Sequence, residues 1–355
     1  MSGGGHNTHC QHEKGYSLIE VMIGLVIGMI GVVVILQTLI FSERQKSVTS
    51  GAGNSQTDGA LAIYSLQRDA RQSGHGFNAL NALGCSLTLP TGHTLSQLGS
   101  VIINPPVSDV PAGDNNTDVI LIAYGNGNGP TEGDLIRAVN GINININSVA
   151  NYAVGDNVFA SPPVGASTCS PTLTTVSASA APSVQLDNAG DAMEGGSLFN
   201  LGATPRILAY AIRNGQLTQC DFMASDCSTA CESGNPNCSA NWVTVASNIV
   251  SLRAQYGRDT SVPQDGGIDA WDQTYPDQST PFDRACQWTR IPVIRLAVVA
   301  RSPDRDTGAV SGAVAPSWDG QADSPITLST GWQNFRHRTF QTVIPLRNMP
   351  WMQNC

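Results

Sequence analysis

Charged residues make up only 13% of this 355-residue chain and aromatics only 6%, and Asp and Glu outnumber Lys and Arg by 27 to 18, for a net charge of −9. With no basic patch or stripe to meet a phosphate backbone, nucleic acid is not an expected partner. Histidine is sparse, six in all. His75, His93 and His337 stand too far apart in sequence to nominate a catalytic triad. A second long helix is also missing: no helical pattern as long as the N-terminal one recurs, while 36 Gly and 20 Pro punctuate the chain. The body is therefore expected to be β- and loop-rich.

What is present begins with Lys14–Phe41. From Leu18 to Phe41 Glu20 is the one ionisable residue, and about 20 apolar residues at roughly 1.5 Å rise each span a bilayer's hydrocarbon core. A secretory signal carries its small-residue cleavage site after the apolar run; here residues 1–15 are polar and Gly15 precedes the run. The apolar helix is thus expected to stay in the mature chain. A carboxylate inside a membrane helix costs about 3 kcal/mol, so Glu20 calls for a cationic partner. Cleavage after Gly15 would create one in the new α-amine of Tyr16, its own or a neighbouring copy's. Gly24 and Gly28, with Gly31 one turn on, would allow close helix approach.

Lys14-Gly15-Tyr16-Ser17-Leu18-Ile19-Glu20 before a long apolar helix resembles the type IV prepilin processing motif, in which Gly precedes an aromatic residue and Glu is fifth in the mature chain. The resemblance implies a prepilin peptidase that cleaves after Gly15 and methylates the Tyr16 amine; the family usually has Phe at that position. Three further groups of segments are similar to PilW-type minor pilins: Leu66-Gln67-Arg68-Asp69-Ala70-Arg71-Gln72-Ser73-Gly74 near the helix end, Ser251–Asp259 and Val293–Ser302, and Phe335–Met349. Residues 77–205 carry no resemblance.

The implied organisation is a leader over 1–15, a transmembrane half-helix over 16–41, an amphipathic half over 42–75, and a periplasmic or extracellular β-rich body over 76–355. Ala60, Ile63, Tyr64, Leu66 and Ala70 trace the stripe that meets the body, and Ser73-Gly74 offers a stop. Strands are expected over Asp118–Tyr124, around Ile142, Ile144 and Ile146, over Ile249–Tyr256 and Pro292–Arg301, and over Thr339–Leu346, where Phe340, Thr342, Ile344 and Leu346 share a face. Arg206–Leu217 reads as a hairpin, with Asn214-Gly215 supplying the positive-φ pair of a type I′ turn. Residues 161–183, rich in Ser, Thr, Ala and Pro, read as a surface loop. The fold class expected is α+β and pilin-like, a long N-terminal helix packed on an antiparallel sheet with disulfide-tied loops.

Of nine cysteines, Cys10 falls in the leader. Cys85, Cys169, Cys220, Cys227, Cys231, Cys238, Cys286 and Cys355 remain, an even set in an exported body, where up to four bridges can form in any of 105 pairings. The densest group, Cys220-x6-Cys227-x3-Cys231-x6-Cys238, departs from the tight pairing of structural zinc sites and favours local disulfides. His6, His9 and His12 form a metal-like tract in a segment expected to be removed. Asp259, Asp265 and Asp269 could offer oxygens to calcium, but Pro263 and Gln264 interrupt the acidic spacing and no closing Glu follows, so a solvated turn is favoured and no metal or other cofactor is expected. Asp306-Thr307-Gly308 has no second Asp-Thr/Ser-Gly to share a proton with. Gly125-Asn126-Gly127-Asn128-Gly129 lacks the Lys-Ser/Thr of a phosphate loop. No catalytic set emerges, and an enzyme is not expected.

The resemblance implies a minor pilin that primes and assembles type IV pili, with the prepilin peptidase, other minor pilins, the major pilin, the inner membrane and a large pilus-tip adhesin as partners. A J-class pseudopilin of type II secretion shares the architecture. A membrane-anchored periplasmic enzyme or metal-binding protein is the remaining reading.

Overall fold

A computed structural model of the chain describes residues 15–229, 241–277, 280–306, 308–312, 314–350, 352 and 355. Cys10, the histidine tract, Cys231, Cys238 and Thr307 lie outside them. Two compact units result, Met1–Gly51 and Ala52–Cys355.

Helix α1 (Leu18–Gln72) enters both units. It starts where the Ser17 carbonyl accepts the Glu20 and Val21 amides. It ends before Gly74, whose φ of +79° is open to glycine at little cost. In the first unit every large apolar side chain from Leu18 to Phe41 is more than half exposed.

The second unit is α+β. Its strands are β1 (Leu87–Thr88), β2 (Thr94–Leu95), β3 (Val101–Ile103), β4 (Ile120–Tyr124), β5 (Asp134–Asn140), β6 (Asn143–Ile146), β7 (Asn157–Ser161), β8 (Thr174–Ala180), β9 (Ser183–Leu186), β10 (Ser197–Gly202), β11 (Arg206–Arg213), β12 (Gln216–Asp221), β13 (Val243–Ala246), β14 (Ile249–Arg258), β15 (Ala270–Asp272), β16 (Val293–Arg301) and β17 (His337–Pro345). A short helix, α2 (Pro281–Thr289), is capped by the Thr280 hydroxyl, which accepts the Asp283 amide at 3.1 Å. Two larger sheets, in the orders β13-β12-β11-β4-β3 and β15-β14-β16-β17, enclose the main core.

β16 shows why its sequence reads as a nearly continuous apolar run. Ile294, Leu296, Val298 and Ala300 face the main core, and on the other side Ala297 and Val299 are covered by Trp318 and Ile326. The sheets are tied together by the Tyr256 hydroxyl, which accepts the Ile103 amide at 2.6 Å. A buried ion pair, Arg253 to Asp118 at 3.1 Å, adds a second tie, and Asp118 also accepts from Asn104, Ala254 and Gln273.

The second half of α1 buries Ser55, Gly59, Ala62, Leu66, Asp69 and Ala70, and Ser73 just past its end continues the same spacing of three and four. This corrects the expected stripe: Ala60 is exposed, Tyr64 is 60% exposed and Ile63 only half-buried. Small residues set the face, because the Phe340 ring of β17 occupies the space a Cβ at Gly59 would need. Leu66 is the large apolar anchor, and its burial contributes about 2 kcal/mol.

The stretch without resemblance holds a module of its own. β4 and β11 pair directly, Ile120 opposite Tyr210 through Tyr124 opposite Arg206, and between them β5 to β10 close a barrel in the order β10-β5-β6-β9-β8-β7. The barrel has a separate core of Ile136, Ile144, Ile146, Tyr152, Val158, Ala160, Val176, Val184, Leu186 and Leu198.

It is built from two copies of one three-strand unit. The pairs Leu135 with Ser197 and Asp134 with Leu198 recur, forty residues on or back, as Thr175 with Asn157 and Thr174 with Val158. A register shift between Ile136 and Ala138 recurs between Val176 and Ala178. Equivalent residues meet at both ends of the pseudo-twofold: Ile144 pairs Val184, and Phe159 pairs Phe199 with rings stacked at 4.9 Å.

The reading of 161–183 as a surface loop is therefore overturned for its second half, while residues 162–173 do link β7 to β8 outside any strand. Thr174–Ala180 is barrel strand β8, and Val176 is buried in the barrel core. Its Ser, Thr and Ala side chains satisfy a half-buried strand once β7 and β9 supply ladder partners. Likewise Ile144 and Ile146 point into the barrel, whereas Ile142 precedes the strand and is 42% exposed.

Candidate assembly site

The N-terminal end is a bare apolar surface with one carboxylate. Leu18–Glu43 is 26 residues, contains an 18-residue stretch with a mean hydropathy of 2.8, and is the one described helix long and apolar enough to cross a membrane. Tyr16 is 84% exposed and lies outside the helix; Glu20 is exposed in its first turn. Acidic charge there also favours the positive end of the helix dipole. Because α1 begins at Leu18, Tyr16 and Glu20 are not joined by a helical turn in this chain. Gly15 is exposed, and a Cβ there would meet nothing, as at Gly24, Gly28 and Gly31.

Where the helix joins the body, a carboxylate anchors it. Asp69 is fully buried, and it accepts from the Tyr124 hydroxyl at 3.2 Å, from the Tyr210 hydroxyl, and from Arg68 Nε at 2.8 Å. Gln219 Nε2 donates to the Tyr210 oxygen at 3.0 Å, extending the network to β12. Burial and the Asp69 carboxylate push the Tyr124 hydroxyl up to about 12 and raise Tyr210 further, so both phenols stay protonated donors. Sequence reasoning missed this residue: Asp69 stood inside the segment quoted for its resemblance, but an Asp between Arg68 and Ala70 reads as solvated until β4 and β11 bring their tyrosines to it.

Three bridges lie among the described residues. Cys85–Cys169 ties the chain before β1 to the link between β7 and β8, Cys220–Cys227 closes a loop after β12, and Cys286–Cys355 fastens the chain's last residue to α2. Their Cα separations of 5.0, 5.8 and 5.1 Å suit a disulfide. The bridges at separations of 84 and 69 residues close the long loops and constrain the unfolded chain most. Under denaturing, non-reducing conditions, thiol-directed maleimide should label few or none of these six cysteines in exported protein. Quantitative labelling of all six would contradict the bridges.

The acidic loop spends its carboxylates on itself. Asp259 accepts the Ser261, Asp265 and Gly266 amides, Asp265 accepts the Gly267 amide, and Asp269 accepts from Thr260 and Ser261. These bonds hold Asp269 below its usual range. No group of three or more His, Cys, Asp or Glu side chains gathers as a metal site among the described residues.

The other sequence candidates separate in the same way. His75 meets the Gly127 carbonyl, His93 stacks on Phe222, and His337 stands edge-on to Trp332. Asp306 pairs Arg336 at 3.6 Å. Gly125 and Gly127 lie against the backbone of Asn200–Gly202, too close for a Cβ, as the chain leaves β4 for the barrel.

Comparison with known families agrees with both ends of the chain. The prokaryotic N-terminal methylation motif matches residues 10–36, and the family described as Type IV Pilus-assembly protein W matches residues 209–348, from within β11 to just past β17. The barrel lies outside both matches. No curated protein and no solved structure matches the chain. Both matched families concern prepilins and pilus assembly rather than an enzyme. A prepilin-like methylation motif thus heads an exposed apolar helix, and the region from 209 to 348, which forms most of the two main sheets, is PilW-type.

Proposed function

We infer that this chain is a minor pilin that primes and assembles type IV pili. The observation that carries the reading is the pairing of a solvent-exposed apolar helix, in which Glu20 is the one ionisable residue from Leu18 to Phe41, with a methylation motif over its start. The prepilin peptidase cleaves after Gly15 and methylates the Tyr16 amine. The inner membrane then stores the subunit, with its pilin-like body in the periplasm, until helices of other minor pilins and the major pilin associate beside it. In the fibre, Glu20 neutralises a neighbour's N-terminal ammonium in surroundings of low dielectric, where an unpaired charge is expensive. Gly24, Gly28 and Gly31 leave room for those helices to approach. The body travels to the cell surface on the fibre and is available there to a tip adhesin.

Deleting the gene tests this reading against a role in type II secretion. Surface pili should fall sharply and return on complementation, while export of type II substrates continues. Intact piliation with failed secretion would assign the chain to the secretion system instead.

A further inference from the structure

Between the barrel and the body lies a cleft of about 530 Å³. One lip is Ser167 to Ser170, in the link from β7 to β8; the opposite wall is Tyr275, Asp277 and the start of α2 at Pro281.

Both walls are held in place. Cys169, in the middle of the lip, is bridged to Cys85, and Ser86 Oγ donates to Ser170 Oγ at 3.0 Å. Across the cleft, Gln97 Nε2 donates to the Pro276 carbonyl at 2.5 Å while its Oε1 accepts Trp288 Nε1 at 3.2 Å, and the Tyr275 ring stands edge-on to Trp288. The site is thus preorganised by contacts it does not need for binding.

The groups left over are polar. Tyr275 Oη is buried without a hydrogen-bond partner. Asp277 is exposed, and Ser167 and Thr168 present hydroxyls on the lip. An apolar ligand would bury these groups unpaired, a desolvation cost with nothing to offset it. An anion would meet the Asp277 carboxylate, and the one guanidinium on the lining, Arg284, already donates through Nε to the Gly84 carbonyl at 2.8 Å. A metal ion would find one uncommitted carboxylate, since the neighbouring Asp109 already accepts from Ser96. A neutral, hydroxyl-rich ligand satisfies the set: vicinal hydroxyls donate to a carboxylate in charge-assisted bonds and exchange bonds with phenol, Ser and Thr. The volume is within the range of small-molecule sites.

We propose that this cleft binds a saccharide unit, with Asp277 and Tyr275 as its principal hydrogen-bonding residues and Ser167 and Thr168 on the lip. The inserted barrel then supplies one wall of a recognition site that the pilin body alone would lack.

Saturation-transfer NMR on the full chain, solubilised in a detergent without a sugar headgroup, tests this with methyl glycosides of glucose, galactose, mannose and N-acetylglucosamine and with maltose and lactose. At least one probe should bind saturably at about millimolar Kd or tighter. Tyr275→Phe and Asp277→Asn should each weaken it by about tenfold, while Asn145→Ala on the far face of the barrel leaves it unchanged and all three variants keep the parent's thermal midpoint. Absence of saturable binding by every probe overturns the proposal, as does parent-like affinity in both cleft variants. Displacement of the sugar by inorganic phosphate at comparable concentration would identify an anion site and overturn it as well.

Discussion

Glu20→Ala is expected to yield a subunit that is cleaved after Gly15 and resides in the membrane, yet is missing from sheared filaments. Removing the carboxylate lifts a desolvation cost of about 3 kcal/mol, so insertion survives or improves. On the proposed reading cleavage is directed by Gly15, which the substitution leaves alone. What is lost is the counter-charge for a neighbour's ammonium once helices exclude water around it. Leaving such a charge unpaired costs about 3 kcal/mol or more, which lowers incorporation on the order of a hundredfold. Glu20→Gln should fail nearly as badly, because an amide fills the space without neutralising the charge. Quantitative immunoblotting of membrane and sheared fractions separates the two steps. Wild-type incorporation of Glu20→Ala would return α1 to the role of a plain anchor.

Asp69→Ala is expected to be strongly destabilising. It removes a fully buried acceptor and leaves the Tyr124 and Tyr210 hydroxyls without it. At about 1–3 kcal/mol for each orphaned donor, the loss is about 2–4 kcal/mol, discounted because Tyr124 is only half-buried and water can meet its hydroxyl; Gln219 Nε2 donates to the Tyr210 oxygen and cannot accept its proton. The exposed Arg68 contributes little to this sum, since its charge is solvated either way. The diagnostic is the combined variant: adding Tyr124→Phe and Tyr210→Phe to Asp69→Ala removes the orphaned donors and should recover much of the lost stability. Thermal unfolding of the solubilised chain reads both. A triple variant no more stable than Asp69→Ala would show that the cost is a cavity rather than unpaired hydroxyls.

The elements that the sequence made legible are those whose pattern is local. The apolar run of α1 needs no partner to be recognised, and Asn214-Gly215, with φ of +53° and +69°, turns β11 into β12 as its residue types require. β16 announces itself through an apolar, β-branched run and β17 through its alternation. The barrel was hidden because its signal is non-local. Ile136, Ala138, Ile144, Ile146, Gly155, Val158 and Phe159 correspond to Val176, Ala178, Val184, Leu186, Gly195, Leu198 and Phe199, only three pairs of which are identical. Comparing the chain with itself at a forty-residue offset would have exposed the repeat, and with it the strand misread as a loop. The stripe on α1 failed for a related reason: apolar size pointed to Tyr64 and Ile63, whereas the sheet selected the small side, Gly59 and Ala62, because the Phe340 ring needs that space. Asp69 shows the same dependence, since its burial is favourable only after two tyrosines from distant strands arrive.

The central claim is that this chain is processed into a fibre subunit, and intact-mass and N-terminal peptide analysis of protein from sheared filaments tests it most directly. The account predicts a mature chain beginning at Tyr16 with one added methyl group on its amine. A chain found only in the membrane fraction and still carrying residues 1–15 would contradict it.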